Sequence, residues 1–172
     1  MRKIITAFLS VLLMLGAIPA SAADTVYVMR HLQKAPGDDP PLTEEGRLLA
    51  DMVAAMLGFD DFGIKAVFAT KTRRAMQTAE PLARFVKVRV TPYDPRNVPA
   101  LVAAVKAVPG NVLIVGHSNT VPDLVAAFGG IKPAPIAETE YGTIYQVTLA
   151  TGRVREFFVP PPPRLAAPER GR

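Results

Sequence analysis

Hydrophobic and polar positions follow two repeating patterns along this chain. Short apolar runs predict buried strands, and the segments between them carry apolar residues at helical spacing. The predicted strands are residues 25–30, 66–69, 86–90 and 111–116, and the predicted helices are residues 43–57, 75–85, 98–108 and 121–128. Strands that alternate with helices are typical of an α/β fold, here a three-layer sandwich in which helices flank a mostly parallel central sheet.

Helix boundaries have recognisable signals in this sequence. Thr43 is a predicted N-cap residue, and the acidic Glu44 and Glu45 that follow it favour the positive end of a helix dipole. Gly58 ends this helix, and Pro81 predicts a kink or a restart in the next one because proline cannot donate the helical hydrogen bond.

The last part of the chain predicts a β-hairpin followed by a tail. Residues 141–149 and 154–159 form two predicted strands, and the turn between them contains Gly152. We expect this hairpin to add an antiparallel edge to the sheet. The Pro-rich start of residues 160–172 cannot join the interior of a sheet, so a mobile tail is expected there.

The N-terminus has the pattern of a bacterial secretory signal peptide. Arg2 and Lys3 precede an apolar run, and small residues spaced as A-x-A follow it. Cleavage is expected after Ala22 or Ala23, which assigns residues 1–22 to a leader and the rest to the periplasm or the medium. The alternative is a membrane anchor, but the apolar run is shorter than the ~20 residues of a spanning helix. No stable membrane anchor is therefore expected after cleavage.

Composition and charge narrow the class of protein. Residues 23–159 have the length of one domain with a core of its own. The net charge of the chain is +5, but the leader and the arginine-rich tail carry most of it, so the body does not have the charge of a nucleic-acid-binding surface. The chain contains no cysteine, so packing rather than disulfides must stabilise an exported domain. The sequence does not indicate an oligomeric state.

Both histidines of the chain occur in the same context. His31 follows Arg30 at the end of the first predicted strand, and His117 directly follows the fourth. Parallel strands end at one edge of a sheet, where open α/β sheets bind their ligands. Arg73 and Arg74 follow another strand, so we expect the histidines, Arg30 and one of these two arginines to meet at this edge.

These residue types favour the binding of a phosphate group. Arginine side chains and the N–H groups at the start of the helix after His117 bind phosphate oxygens. A neutral imidazole that keeps one nitrogen free and holds the other as a donor is a competent nucleophile at phosphorus. Two histidines without cysteine are too few for a zinc site, so we expect activity without a metal or cofactor.

Three segments together resemble the histidine phosphatase superfamily, the phosphoglycerate-mutase-like group of acid phosphatases. They are Arg30 with His31 after an apolar strand, residues 74–79 (Arg-Ala-Met-Gln-Thr-Ala) and residues 116–118 (Gly-His-Ser). Residues 42–47 are also similar to the Leu-Thr-x-x-Gly segment that opens the family's first helix. The segments span almost the whole mature chain, whose compact length is similar to the small phosphohistidine-phosphatase-like branch.

The resemblance implies roles for individual residues. His31 would be the nucleophile that becomes phosphohistidine. Arg74 rather than Arg73 occupies the family position of the second arginine. The implied phosphate ligands are Arg30, Arg74, His117, Ser118 and Asn119.

Two features depart from the family's pattern. Many members protonate the leaving group with a carboxylic acid between the second arginine and the second histidine, where Asp94 fits. Glu138 and Glu140 are the alternatives, and a turn-forming aspartate is the simpler interpretation of Asp94. The family usually has glycine after Arg-His, and a side chain at Leu32 would narrow the pocket or shift the loop.

Substrate identity depends on two loops without a recognisable code, residues 32–41 and 129–140. Asp38 and Asp39 lie near enough to the site to contact a substrate, although solvated loop polarity is the simpler interpretation. The partner expected from the residues is a small phosphorylated substrate.

Two functions of different classes follow. The first is an exported phosphatase that hydrolyses a phosphomonoester, either a small molecule or a phosphosugar of the envelope, through a phosphohistidine on His31. The second is a module that binds phosphate with little or no turnover, which Leu32 and the unassigned acid favour. A mutase is less favoured because the chain lacks the mutases' insertions, and dephosphorylation of protein phosphohistidine fits poorly with export. An acid-labile phosphohistidine at His31 distinguishes the enzyme from the binding module.

Overall fold

A computed structural model of the chain describes residues 23–160 and shows an α/β fold. The strands are β1 (Thr25–Arg30), β2 (Ile64–Thr70), β3 (Val90–Tyr93), β4 (Asn111–Gly116), β5 (Thr143–Thr148) and β6 (Arg153–Phe158). The helices are α1 (Glu44–Leu57), α2 (Arg73–Phe85), α3 (Val98–Lys106) and α4 (Val121–Ala127), and a short 3-10 helix lies at Asp60–Phe62. The predicted fold class is confirmed.

The strands form a six-stranded sheet in the order β3-β2-β4-β1-β5-β6. Strands β3, β2, β4 and β1 pair in parallel, so their C-terminal ends lie at one edge. β5 pairs antiparallel with β1, and β6 pairs antiparallel with β5, which confirms the predicted hairpin. The hairpin therefore extends the sheet beside β1, the strand that leads to His31.

Side chains of the parallel strands are buried on both faces of the sheet. In β1, Tyr27 and Met29 pack on the face covered by α1 and α2. Val26 and Val28 pack on the opposite face, together with residues of α3 and α4. This two-sided burial explains why these strands are continuous apolar runs in the sequence.

The third strand was predicted at residues 86–90, and this prediction is wrong. Residues 86–88 instead terminate α2. Lys87 N–H donates to Arg84 O at 3.2 Å, and Val88 N–H donates to Ala83 O at 2.9 Å. Lys87 has a φ of 59°, in the left-handed region. This hydrogen-bond pair is a Schellman motif, so β3 begins only at Val90 and includes the predicted loop residues 91–93.

Helix α1 confirms the predicted boundaries. Thr43 Oγ1 accepts the hydrogen bond from Gly46 N–H, and Gly58 is the C-cap residue. A Cβ at Gly46 would lie 2.3 Å from the backbone oxygen of Gln33, so only glycine lets the helix approach the loop after β1 this closely. Helix α2 continues through Pro81 as one helix, so the predicted restart is wrong.

Two predictions fall partly or wholly on undescribed residues. The leader at residues 1–22 and all but the first residue of the tail at residues 160–172 lie outside the described range. Within residues 23–160, no helix is both long and apolar enough to cross a membrane.

Candidate active site

The C-terminal edge of the parallel strands brings together Arg30, His31, Arg74 and His117. The ring centroids of His31 and His117 lie 5.3 Å apart. Arg74, on the first turn of α2, donates its Nε–H to Nε2 of His31 at 3.1 Å. The strand ends predicted from the sequence therefore meet at a single site.

His31 is held as one neutral tautomer. Its Nδ1 lies 2.8 Å from the backbone oxygen of Leu32, which can only accept, so Nδ1 carries the proton. Nε2 then has the lone pair and accepts from Arg74. Burial is the main cause that lowers the pKa of His31 to about 4, and His117 and the neighbouring arginines lower it further. The imidazole is therefore neutral near pH 7.

His117 is oriented by the end of β2. Its Nε2 lies 2.8 Å from Oγ1 of Thr70, a buried residue. Burial, followed by the charges of Arg74 and Arg30, lowers the pKa of His117 to about 4. Thr70 was not predicted as a site residue. Its signal in the sequence is a polar residue that ends a buried apolar strand, as Arg30 ends β1.

Arg30 is almost fully buried and holds the loop at residues 137–141. Its Nη1 donates to the backbone oxygens of Ala137 at 2.7 Å and Glu140 at 2.9 Å. Its Nη2 donates to Oε2 of Glu138 at 2.7 Å, and the guanidinium carbon lies 4.2 Å from the centre of the Tyr141 ring. Nε is buried and has no partner among the described residues. This N–H therefore takes no part in holding the loop.

Helix α2 supports the site through its first turns. Oγ1 of Thr78 accepts from Leu32 N–H at 3.1 Å and donates to the backbone oxygen of Arg74 at 2.8 Å. Thr78 thus links the residue after His31 to the helix that carries Arg74. Arg73 and Lys71 are exposed.

Leu32 does not face the pocket. Its side chain is fully buried in the core cluster that also contains Leu42 and Ala75. The expectation that it narrows the pocket is wrong, because its side chain points into the core while its backbone N–H and C=O serve Thr78 and His31.

The three candidate acids have different surroundings. Asp94 is exposed and forms two side-chain hydrogen bonds with Arg96, at 3.0 and 2.9 Å, which are the main cause that lowers its pKa to about 2. Glu138 accepts from Ser118 Oγ and from Arg30, and the Ser118 hydrogen bond is the main cause that lowers its pKa. The Glu140 carboxylate accepts from Ala137 N–H at 3.0 Å.

The segment after β4 provides fewer phosphate donors than predicted. Helix α4 begins at Val121, and the N–H groups of Thr120 and Val121 both donate to the backbone oxygen of His117. Their predicted role as phosphate donors is wrong in this conformation, because these hydrogen bonds occupy them. Ser118 donates to Glu138, and Asn119 is exposed.

A cavity of about 690 Å³ opens beside Arg74 and His117. Asp94 belongs to its wall, whereas Asn119 and His31 do not, since His31 lies behind Arg74. The other lining residues are Asp38, Asp39, Thr70, Lys71, Thr72, Pro92, Tyr93, Pro95 and Arg96. Within residues 23–160, no three His, Cys, Asp or Glu side chains form a cluster that could hold a metal ion.

Comparison with known proteins supports both the sequence pattern and the fold. The family model of the histidine phosphatase superfamily (branch 1) matches residues 26–96. A protein histidine phosphatase SixA, solved with tungstate, is 24% identical with a TM-score of 0.58 and covers 78% of this chain and 94% of that one. No curated protein sequence matches the chain.

Two further solved structures have the same fold. A mycobacterial glucosyl-3-phosphoglycerate phosphatase, solved with inorganic phosphate, is 17% identical with a TM-score of 0.60 and covers 79% of this chain and 95% of that one. A SixA protein from Agrobacterium tumefaciens, described as a putative phosphohistidine phosphatase, is 19% identical with a TM-score of 0.54 and covers 73% and 92%. At such identities the likeness establishes the fold.

Proposed function

We infer that the chain is a member of the histidine phosphatase superfamily, and from that premise we propose that it hydrolyses a phosphomonoester through a phosphohistidine on His31. The observation that carries the proposal is the state of His31. Its Nδ1–H donates to the backbone oxygen of Leu32, and its Nε2 lone pair accepts a hydrogen bond from Arg74. A neutral, oriented imidazole among cationic side chains is what nucleophilic attack on a phosphoryl group requires.

The reaction proceeds in two transfers. The phosphoryl group takes over the Nε–H donor of Arg74, which frees the lone pair on Nε2 of His31. That nitrogen attacks phosphorus, the bond from phosphorus to the ester oxygen breaks, and the departing oxygen takes a proton from an acid. Water then attacks phosphorus and gives a proton to the carboxylate that the acid has become, the bond between nitrogen and phosphorus breaks, and its electron pair returns to Nε2.

Three side chains stabilise the charge on the phosphoryl oxygens. Arg74 donates from its guanidinium, and Arg30 has a buried Nε–H without a partner among residues 23–160. His117 can donate from Nδ1–H in the tautomer in which its Nε2 accepts the hydrogen bond from the Thr70 hydroxyl. All three side chains converge on the site before substrate binds, but Arg74 must first give up its hydrogen bond to His31.

Asp94 is the acid that the cavity supports best. Of the three candidates, it alone lines the cavity beside Arg74 and His117, where a leaving group would lie. In the free protein Arg96 keeps it ionised. As the general acid, Asp94 would therefore have to lose its contact with Arg96 and gain a proton when substrate fills the cavity.

The cavity also supports a hydroxyl-rich leaving group, such as that of a phosphosugar. The carboxylates of Asp39 and Asp94 can accept hydrogen bonds from hydroxyl groups. Pro92, Tyr93 and Pro95 provide flat apolar surface for the ring of a sugar. Export to the periplasm or the medium belongs to the same proposal, and it depends on the signal pattern of residues 1–22.

A phosphate-binding module is the second candidate function. In the free protein Arg74 covers the nucleophilic nitrogen of His31, and the two terminal nitrogens of Arg30 bind the loop at residues 137–141. A pocket that kept these contacts with phosphate bound would bind the anion without turnover.

Hydrolysis of p-nitrophenyl phosphate in EDTA distinguishes the two functions. We expect the wild type to turn over and to form an acid-labile phosphoprotein, and His31→Ala to do neither. Arg74→Ala is expected to lose most activity, whereas Arg73→Ala, the matched exposed arginine, is expected to retain it. If the wild type neither turns over nor becomes phosphorylated, while inorganic phosphate raises its melting temperature, the binding module is the correct function.

A further inference from the structure

A carboxylate on the loop after β1 contacts the arginine that covers the nucleophile. Oδ1 of Asp39 accepts from the backbone N–H of Arg73 at 3.0 Å and lies 3.5 Å from Nη1 of Arg74. The same guanidinium donates from Nε to Nε2 of His31 at 3.1 Å. One arginine thus connects the loop carboxylate to the catalytic imidazole.

We propose that Asp39 is a positioning residue that orients the Arg74 guanidinium for phosphoryl transfer. This rests on the proposed phosphatase function, but it concerns a contact that no assigned role includes. A guanidinium is planar and rigid, so a partner at Nη1 also fixes the direction of Nε. Asp39 therefore sets where Arg74 presents its donors to the phosphoryl group.

Arg74 is packed less tightly than Arg30, so a partner contributes more to its orientation. Its side chain is 18% exposed, in contrast to the 3% of Arg30. Arg30 is held by backbone oxygens and by Glu138, whereas Arg74 has only His31 and Asp39 as side-chain partners among the described residues. A long arginine side chain loses about 2 kcal/mol of rotamer entropy when it is fixed.

The loop that carries Asp39 is well anchored, so the carboxylate has a defined position. Ala35 N–H donates to Pro41 O at 2.9 Å and closes the loop on itself. Leu42 N–H donates to Oε1 of Gln77 at 2.7 Å, which ties the loop to α2. Asp39 adds a contact at the start of the same helix, where an anion is favoured by the free N–H groups.

The charge of Asp39 also has an opposing effect. A carboxylate beside the phosphate site repels the anion and weakens its binding. Asp38 offers a matched control for this effect, because it is the adjacent residue, is exposed, and lines the same cavity. Its replacement removes one negative charge from the cavity and leaves the contacts with α2 intact.

The experiment compares Asp39→Asn, Asp39→Ala and Asp38→Asn in the full protein. For p-nitrophenyl phosphate we expect Asp39→Asn to lower kcat/KM about tenfold, as small misplacements of a catalytic group do. Inhibition by inorganic phosphate should weaken in the same variant. Asp38→Asn should leave both quantities within about twofold or improve them, since it removes only the repulsion.

Nuclear magnetic resonance gives a readout that does not need turnover. The Nε–H signal of Arg74 is expected at a shifted, exchange-protected position in the wild type and in Asp38→Asn. In Asp39→Asn it should move toward the position of exposed arginines, at an unchanged melting temperature. This readout tests the positioning role even if the protein proves to bind phosphate without hydrolysing it.

Two results would overturn the proposal. The first is equal kinetics, equal phosphate binding and an unchanged Arg74 signal in Asp39→Asn and Asp38→Asn. The second is a lower melting temperature in Asp39→Ala with kcat/KM unchanged for the folded fraction, which would assign Asp39 a role in loop stability alone. Loss of turnover in every variant and in the wild type would instead contradict the phosphatase function.

Discussion

The rings of His31 and His117 lie 5.3 Å apart at an interplanar angle of 66°. Two imidazoles at this distance repel each other when both are charged, and burial disfavours the charged form of each. The pKa of both is lowered from 6.5 to about 4. The free protein therefore holds an uncharged histidine pair, which suits one ring to attack phosphorus and the other to donate.

This pair makes the stability of the fold depend on pH in a definite direction. Between pH 6.5 and about 4 the histidines of the unfolded chain are protonated whereas those of the folded protein stay neutral. The contribution of the two histidines to stability is therefore complete above pH 6.5 and is lost as the pH falls toward 4. We expect the melting temperature to fall over this interval. The double variant His31→Asn, His117→Asn should flatten the fall, and an identical slope in both proteins would contradict the shifted pKa values.

Thr78→Val should destabilise the protein, although valine has nearly the same side-chain shape as threonine. The substitution leaves the buried N–H of Leu32 without its acceptor, which costs about 1–3 kcal/mol. Thr78→Ser keeps the hydroxyl group and is the control. Urea unfolding measures both, and equal free energies of unfolding for the two variants would show that the hydroxyl group is not needed.

Replacement of Leu32 by the glycine that the family usually has should not activate the protein. The side chain fills the core, and its truncation to Ala alone costs about 2–5 kcal/mol. We expect Leu32→Gly to lower the free energy of unfolding by at least as much and to leave kcat/KM per folded molecule no higher. An active, fully stable Leu32→Gly variant would show that the leucine does constrict the site.

Asp94→Asn tests the general acid through the leaving group. An acid contributes about 10²–10⁴-fold where the departing oxygen needs a proton, and far less for an activated aryl ester. We therefore expect Asp94→Asn to slow hydrolysis of an alkyl phosphate strongly and that of p-nitrophenyl phosphate only slightly. Glu138→Gln and Glu140→Gln are the controls. Equal slowing of both substrates by Asp94→Asn removes it from this role.

The sequence allowed the edge of the sheet that holds the candidate site to be predicted because the relevant signals are local. Arg30 with His31 and, later in the chain, His117 follow apolar runs, and parallel strands have their C-terminal ends at one edge. The hydrogen-bond partners of these residues were harder to predict from the sequence. Arg30 binds Ala137, which is 107 positions away, and nothing near either residue marks the pair.

Two errors have equally specific causes. The third strand was placed too early because Lys87 adopts a left-handed conformation that glycine usually marks. Leu32 was expected in the pocket because the direction of a side chain just after a strand depends on how the chain turns there. The burial of the Leu32 side chain in the core cluster shows that it points away from the pocket.

Arg30 couples the stability of the loop at residues 137–141 to the affinity for an anion, and by thermodynamic linkage each affects the other equally. The same guanidinium binds that loop with its terminal nitrogens and lies at the candidate phosphate site. A bound phosphoryl group that draws the guanidinium toward itself must loosen the loop by the free energy with which the loop opposes binding. Sequence changes in this loop, at positions that never touch substrate, are therefore a route by which the affinity for the product can be tuned.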